Sequence, residues 1–259
     1  MKTVNFIGRL ALSIFALMLA TSCFASVNAG PTKTIEIPVA KDYTDLEVSS
    51  AINVIWSETA TSLEISAGEK VIDNVVAQRT GNTLKIFVKG IVRYSGDISV
   101  VLPASPVLDE ISLDGASQFT SATVLNLNEL DIDLSGASSM KADLNVKGKL
   151  EIDCSGASFI RGTIEAGTFS VDLSGASSAK LSGIAGRSEI EASGASSLSA
   201  LSTPLVTSDT ECEISGASNV HIACKGRLYG KVSGASSIRY GNDVVSAQVT
   251  STGASTAKP

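Results

Sequence analysis

Ten carboxylates recur at fixed offsets ahead of a repeated glycine, and no other group in the chain is so regularly placed for chemistry. Glu110 comes first. Asp131 with Asp133, Glu151 with Asp153, Asp172, Glu189 with Glu191, and Glu211 with Glu213 follow, each three or five positions before a glycine. Five positions after each glycine stands a second set: Thr120, Lys141, Arg161, Lys180, Ser199, His221, Arg239 and Lys258. Hard carboxylate oxygens suit Ca²⁺, although ligands drawn from one flat face supply few oxygens per ion and predict weak binding. A second chemistry is charge pairing between copies. The basic stripe of one molecule would meet the acidic face of another in a salt-sensitive homo-oligomer. The plain alternative is a solvated surface that discourages sideways association.

Nucleophilic catalysis is poorly supported. Serine recurs after the glycines, but no copy has the Gly-x-Ser-x-Gly elbow, and His221 is the one histidine available as a base. Corner serines ordinarily hydrogen-bond local backbone. Cys154 and Cys212 fall at inward positions and read as small apolar core groups, with a Cys212–Cys224 disulfide as the alternative in an oxidising compartment. Trp56 reads as packing, or as a sugar-stacking ring if exposed. No catalytic residue or resident cofactor is expected.

The elements that must carry these side chains follow from the repeat. Gly-Ala-Ser occurs eight times, at Gly115, Gly136, Gly156, Gly175, Gly194, Gly216, Gly234 and Gly253. The intervals run from 18 to 22 residues. Four before glycine stand Ile111, Ile132, Ile152, Val171, Ile190 and Cys212; two before stand Leu113, Leu134, Cys154, Leu173, Ala192 and Ile214. The charged set lies between and beside them. Apolar and polar residues alternating at period two make a half-buried strand. Four after glycine comes another inward residue, from Phe119 and Met140 to Ile238 and Ala257. A coil of about 20 residues cannot bury its own apolar side, so coils must stack. The expected fold is all-β: a right-handed parallel β-helix, or solenoid, with glycine at each corner for a positive φ or a close backbone approach.

The flanking regions complete the organisation. Lys2, Arg9 and the apolar run Leu10–Ala20 form an export signal within residues 1–29, too short for an ordinary membrane span. Two endings compete: Ala20-Thr21-Ser22-Cys23, which would lipidate Cys23, and Val27-Asn28-Ala29, a site for ordinary cleavage. Removing residues 1–29 leaves 18 basic against 26 acidic side chains, a formal −8, which argues against a nucleic-acid partner. Residues 30–107 lack the tripeptide but contain strand-like runs such as Ile52–Trp56 and Leu84–Val88, expected as irregular coils or a β-rich cap. The solenoid proper is expected over 108–259, with the tail Ser251–Pro259 frayed.

Three segments together resemble the head GIN domain family of autotransporter adhesin heads. They are Val48-Ser49-Ser50-Ala51-Ile52-Asn53-Val54, Gly81-Asn82-Thr83-Leu84-Lys85-Ile86, and the serial Ser-Gly-Ala-Ser corners ending at Ser233–Tyr240. The resemblance covers about residues 34–241. It implies a β-helix in the envelope of a Gram-negative bacterium, periplasmic or at the outer-membrane surface, and supplies no ligand. The resulting expectation is a non-catalytic envelope protein whose solenoid binds a surface glycan or protein, for adhesion or assembly. Its membrane contact would come only through a lipid at Cys23. A structural scaffold is the alternative, and a carbohydrate-active β-helix enzyme a distant third, because coils so uniform in length leave little loop for a groove.

Overall fold

The computed structural model describes residues 27–90, 94–201 and 203–259. Lys2, Arg9, the Leu10–Ala20 run and Cys23 lie outside them. Period-two segments do form short parallel strands stacked coil on coil, in a sheet system of 24 strands. One inward column runs Ile111, Ile132, Ile152, Val171, Ile190, Cys212, in direct register. The next runs Leu113, Leu134, Cys154, Leu173, Ala192, Ile214, again in register. After the corner, Phe119, Met140, Ile160, Ala179 and Leu198 pair in the same way. A third stack follows, in which Leu125, Leu144 and Ile164 align. All of these side chains are buried in one continuous core. Repetition makes the register unambiguous, because a slip of one residue would turn every aliphatic outward.

The corner explains two of its three residues from within. Each of the eight glycines has φ between 69° and 77°, the left-handed region that favours glycine. A Cβ on Gly175 would also lie 2.6 Å from the carbonyl oxygen of Gly156, a backbone atom that cannot move aside. The following alanine N–H donates to the glycine carbonyl one coil below, at 2.7 Å for Ala176 to Gly156. The serine turns inward: Ser117, Ser138, Ser158, Ser177, Ser196, Ser218 and Ser236 are all buried.

The first coils are threaded out of chain order. Asp45–Val48 lies between Glu110–Leu113 and Thr83–Val88, parallel to both. Ile52–Ser57 likewise lies between Gln118–Ser121 and Ile98–Pro103. Antiparallel pairings, Thr32–Ile37 with Leu63–Gly68 and Val75–Thr80 with Thr83–Val88, join this end to the same sheet system. The buried Tyr43 hydroxyl donates to the Pro103 carbonyl at 2.6 Å and ties the crossing segment down. Trp56 is buried against Phe119 with ring centroids 5.9 Å apart, so it packs and is not free to stack on a sugar.

The expectation of a frayed tail is corrected. Ser246–Ser251 and Thr256–Lys258 form a last coil, paired with Arg227–Val232 and Ser237–Arg239. Small inward residues there bury little, but the backbone ladder and the corner persist, with Ala254 N–H donating to Gly234 O at 2.9 Å. Upstream, Val27–Asn28 pairs with Tyr94–Ser95, Ala29 is buried, and its carbonyl accepts the Lys70 N–H at 3.1 Å.

Candidate functional site

Outward alternation on the strands before and after the corner builds two charged ladders. On the first face Glu110, Asp131 and Glu151 stack in register. Beside them run Asp133, Asp153, Asp172, Glu191 and Glu213. Glu189 pairs with Glu211. On the second face Lys141, Arg161 and Lys180 are direct neighbours in three successive coils. His221, Arg239 and Lys258 form a second run. The site residues expected from sequence are therefore brought together as two ladders, one on either side of the Gly-Ala-Ser corner.

The acidic ladder is electrostatically stressed. Partial burial, followed by the charges of Asp133 and Asp172, pushes the Asp153 carboxyl up to about 6. The same cause, with neighbouring carboxylates added, raises Asp131, Asp133 and Glu191. Carboxylate oxygens of Asp131, Asp133 and Asp153 lie within 4.8 Å of one another. Three oxygens from one side complete at most half of a Ca²⁺ shell, so any bound ion would keep several waters. Lys149 pairs with Glu151 at one margin. That margin borders a depression of about 440 Å³ lined by Asp109, Glu129, Asp131 and Lys149.

Among the described residues the ion pairs are Arg79–Asp42, Lys85–Glu47, Lys149–Glu151 and Arg227–Asp209. Asp131, Asp133, Asp153 and Asp172 have none, and neither do Lys141, Arg161 and Lys180. Opposite charges thus stand unpaired on two adjacent faces of the same molecule. Beside the second run, Ser197, Asn219, His221, Ser237 and Arg239 line an open depression of about 300 Å³.

The groups considered for nucleophilic chemistry are placed elsewhere. Ser196 Oγ donates to the Leu173 carbonyl at 3.1 Å, inside the corner. A hydroxyl buried there cannot meet a substrate. Burial pushes the Cys154 and Cys212 thiols up to about 12. Cys154, Cys212 and Cys224 are free and buried, and the Cys224 thiol donates to Ser208 O at 3.1 Å. His221 is exposed on the basic face.

Sequence reasoning missed the start of the acidic ladder. Asp45 and Glu47 stack on Glu110 and Ser112. There Glu47 takes a 2.6 Å contact from Lys85, and Asp45 accepts from the Thr83 hydroxyl at 2.9 Å. Alignment on Gly-Ala-Ser could not reach them, but Val48-Ser49-Ser50-Ala51 repeats the corner pattern with serine in place of glycine. Also missed was the exposure of the corner alanine in all eight copies, from Ala116 to Ala254.

One family model spans most of the chain. A model described as "Putative auto-transporter adhesin, head GIN domain" matches residues 42–148 and 146–243. The chain belongs to this head GIN domain family. Solved structures share its fold at low identity. A "putative adhesin" from Parabacteroides distasonis ATCC 8503 superposes with a TM-score of 0.80 at 19% identity, over 91% of this chain and 100% of that one. A "Putative lipid binding protein" from the same strain gives 0.78 at 20%, over 90% and 99%. A "putative adhesin" from Parabacteroides merdae ATCC 43184 gives 0.78 at 19%, over 90% and 98%. No curated protein matches the sequence.

Proposed function

We propose that this head GIN domain protein is a non-catalytic component of the bacterial cell envelope that binds a surface glycan or protein through the outer faces of its solenoid. The observation that carries this reading is the pair of unpaired charged ladders, held in register by a rigid repeat. Charges fixed at a constant spacing favour a partner with repeated charge, and confer specificity through complementarity. The family and its similarly folded relatives are named for adhesion or lipid binding, which agrees with a binding role.

Attachment through Cys23 fits this reading. Cleavage after Ala29 would discard the Val27–Asn28 strand and the buried Ala29, whereas cleavage before Cys23 keeps them. Cys23→Ala should move the protein from the membrane fraction to the soluble fraction. Unchanged fractionation would reject lipid anchoring. The binding role is tested by probing a glycan and matrix-protein array with the full chain, beside one variant carrying Asp133→Asn, Asp153→Asn and Asp172→Asn and another carrying Lys141→Ser, Arg161→Ser and Lys180→Ser. A ligand captured by the wild type and lost by either variant is expected. Capture that ignores both ladders would refute the assignment.

A further inference from the structure

Whatever the chain adheres to, the two ladders and the ridge between them fit a second copy of the chain. The ridge is the exposed Gly-Ala column. Glycine is required there by its φ and serine by its burial, whereas the alanine between them is exposed in every copy. Small side chains along a ridge leave it smooth enough for another surface to approach closely. On one flank stand Asp131, Asp133, Asp153 and Asp172, and on the other Lys141, Arg161 and Lys180, all without ion-pair partners. Both ladders repeat at the same coil spacing, roughly 4.8 Å.

We propose that two copies associate side by side across their Gly-Ala ridges, with solenoid axes parallel and related by a two-fold axis along them, so that the basic ladder of each meets the acidic ladder of the other over the Gly136, Gly156 and Gly175 coils. Symmetry selects this arrangement. A two-fold axis parallel to the solenoids exchanges the flanks, so acid faces base on both sides of the contact. An antiparallel pair would set acid against acid. The parallel pair also forbids an axial offset, and each coil meets its own copy. Lys141 then faces Asp131 and Asp133, Arg161 faces Glu151 and Asp153, and Lys180 faces Asp172. The match lapses at the Gly194 coil, where Ser199 follows Lys180, and reverses at the Gly234 coil, where Lys231 occupies the acidic column and would oppose Arg239. The contact is therefore short and the association weak.

Charge decides against an external polyanion as the occupant of the basic ladder. The acidic ladder begins one corner away, within about a Debye length, and would repel it. A second copy satisfies both ladders at once.

The test uses the full chain, expressed with its leader and purified after processing. Sedimentation at low salt should show a monomer–dimer equilibrium that shifts to monomer at high salt. Reversing the basic ladder with Lys141→Glu, Arg161→Glu and Lys180→Glu should weaken self-association on the order of tenfold or more. Reversing the acidic ladder with Asp133→Lys, Asp153→Lys and Asp172→Lys should do the same. Mixing the two variants should restore a 1:1 dimer. Ala157→Trp, on the exposed ridge, should abolish the dimer without lowering the melting temperature, which keeps the test valid if a ladder variant fails to fold. Orientation is read by cross-linking: Ala137→Cys and Ala176→Cys should each form a disulfide-linked dimer rapidly, whereas an antiparallel pair would bring Ala137 against Ala176 and neither variant would link to itself. A wild type that stays monomeric at low salt and high concentration would overturn the proposal. So would a dimer indifferent to both reversals, or a monomer that binds an anionic polysaccharide through the basic ladder alone.

Discussion

The Gly-Ala-Ser stack and the N-terminal coils bury the same kinds of aliphatic column and share one sheet, yet they manage corners and charges differently. In the stack every corner has glycine near φ 70°, and like charges are left facing one another from coil to coil. In the Asp45–Ser57 coil the corner is Ser50 and Ala51, at φ 75° and 59°. There the acidic column is relieved by Lys85 on Glu47 and by the Thr83 hydroxyl on Asp45. A coil copied many times repeats whatever repulsion its motif contains. A coil used once can place a local partner. The unneutralised charge of the repeated part is thus available to something outside the chain.

The largest expected effect breaks the stack at its corner. Gly175→Val places a β-branched side chain at φ 70° with its Cβ against the Gly156 carbonyl. It should destabilise by about 4 kcal/mol or more. A chemical-denaturation measurement showing a loss below about 0.5 kcal/mol would mean that the corner does not need glycine. Ala51→Gly sharpens the contrast from the other side. Relief of a left-handed alanine and the greater freedom of glycine in the unfolded chain oppose each other, so stability should stay within about 1 kcal/mol of the wild type.

A second contrast is pH dependence. The Asp153 carboxyl, raised to about 6 by partial burial and by its carboxylate neighbours, holds its proton more tightly in the folded state than in the unfolded chain, where its value is near 3.8. Folded stability therefore falls as pH rises from about 4 to about 6, and the loss is complete above that value. Asp131, Asp133 and Glu191 act in the same direction. Asp42 and Asp209 act oppositely. Hydrogen bonds to Arg79 and Arg227 hold them below the usual value, so their contribution is lost on acidification below about 4. The melting temperature should accordingly be higher near pH 4.5 than at pH 7, and Asp153→Asn should flatten that difference. A melting temperature that climbs from pH 4.5 to 7 would contradict the account.

The smallest effect concerns the paired coil. Lys85→Met removes a half-exposed ion pair with Glu47 and should cost about 0.5 kcal/mol. A loss above about 2 kcal/mol would show that the pair supports the threading of the first coils and not only their charge.

How much was legible beforehand differs by region for a physical reason. In the stack, the inward columns and both ladders followed from Gly136, Gly156 and Gly175 as fixed points, because a strand's side chains alternate strictly and a constant coil length turns sequence offset into position in space. Asp45 and Glu47 were not legible, because their coil lacks the glycine that marks register. The persistence of the Gly253 coil was also missed: its small inward residues gave no packing signal, while its stability rests on backbone bonds that any side chain permits.

The sequence by itself determined the coil, its length, which residues face the core and which face water, since local alternation and an obligatory glycine settle these without distant contacts. Only the tertiary structure decided that Asp45–Ser57 inserts between Thr83–Pro103 and the Gly115 coil, because that order depends on which of several similar aliphatic strands bury one another. It also decided that the corner serines point inward while the corner alanines form an open ridge. Both side chains are small, and nothing in their identity says which side of a tight turn the packed coils will leave exposed.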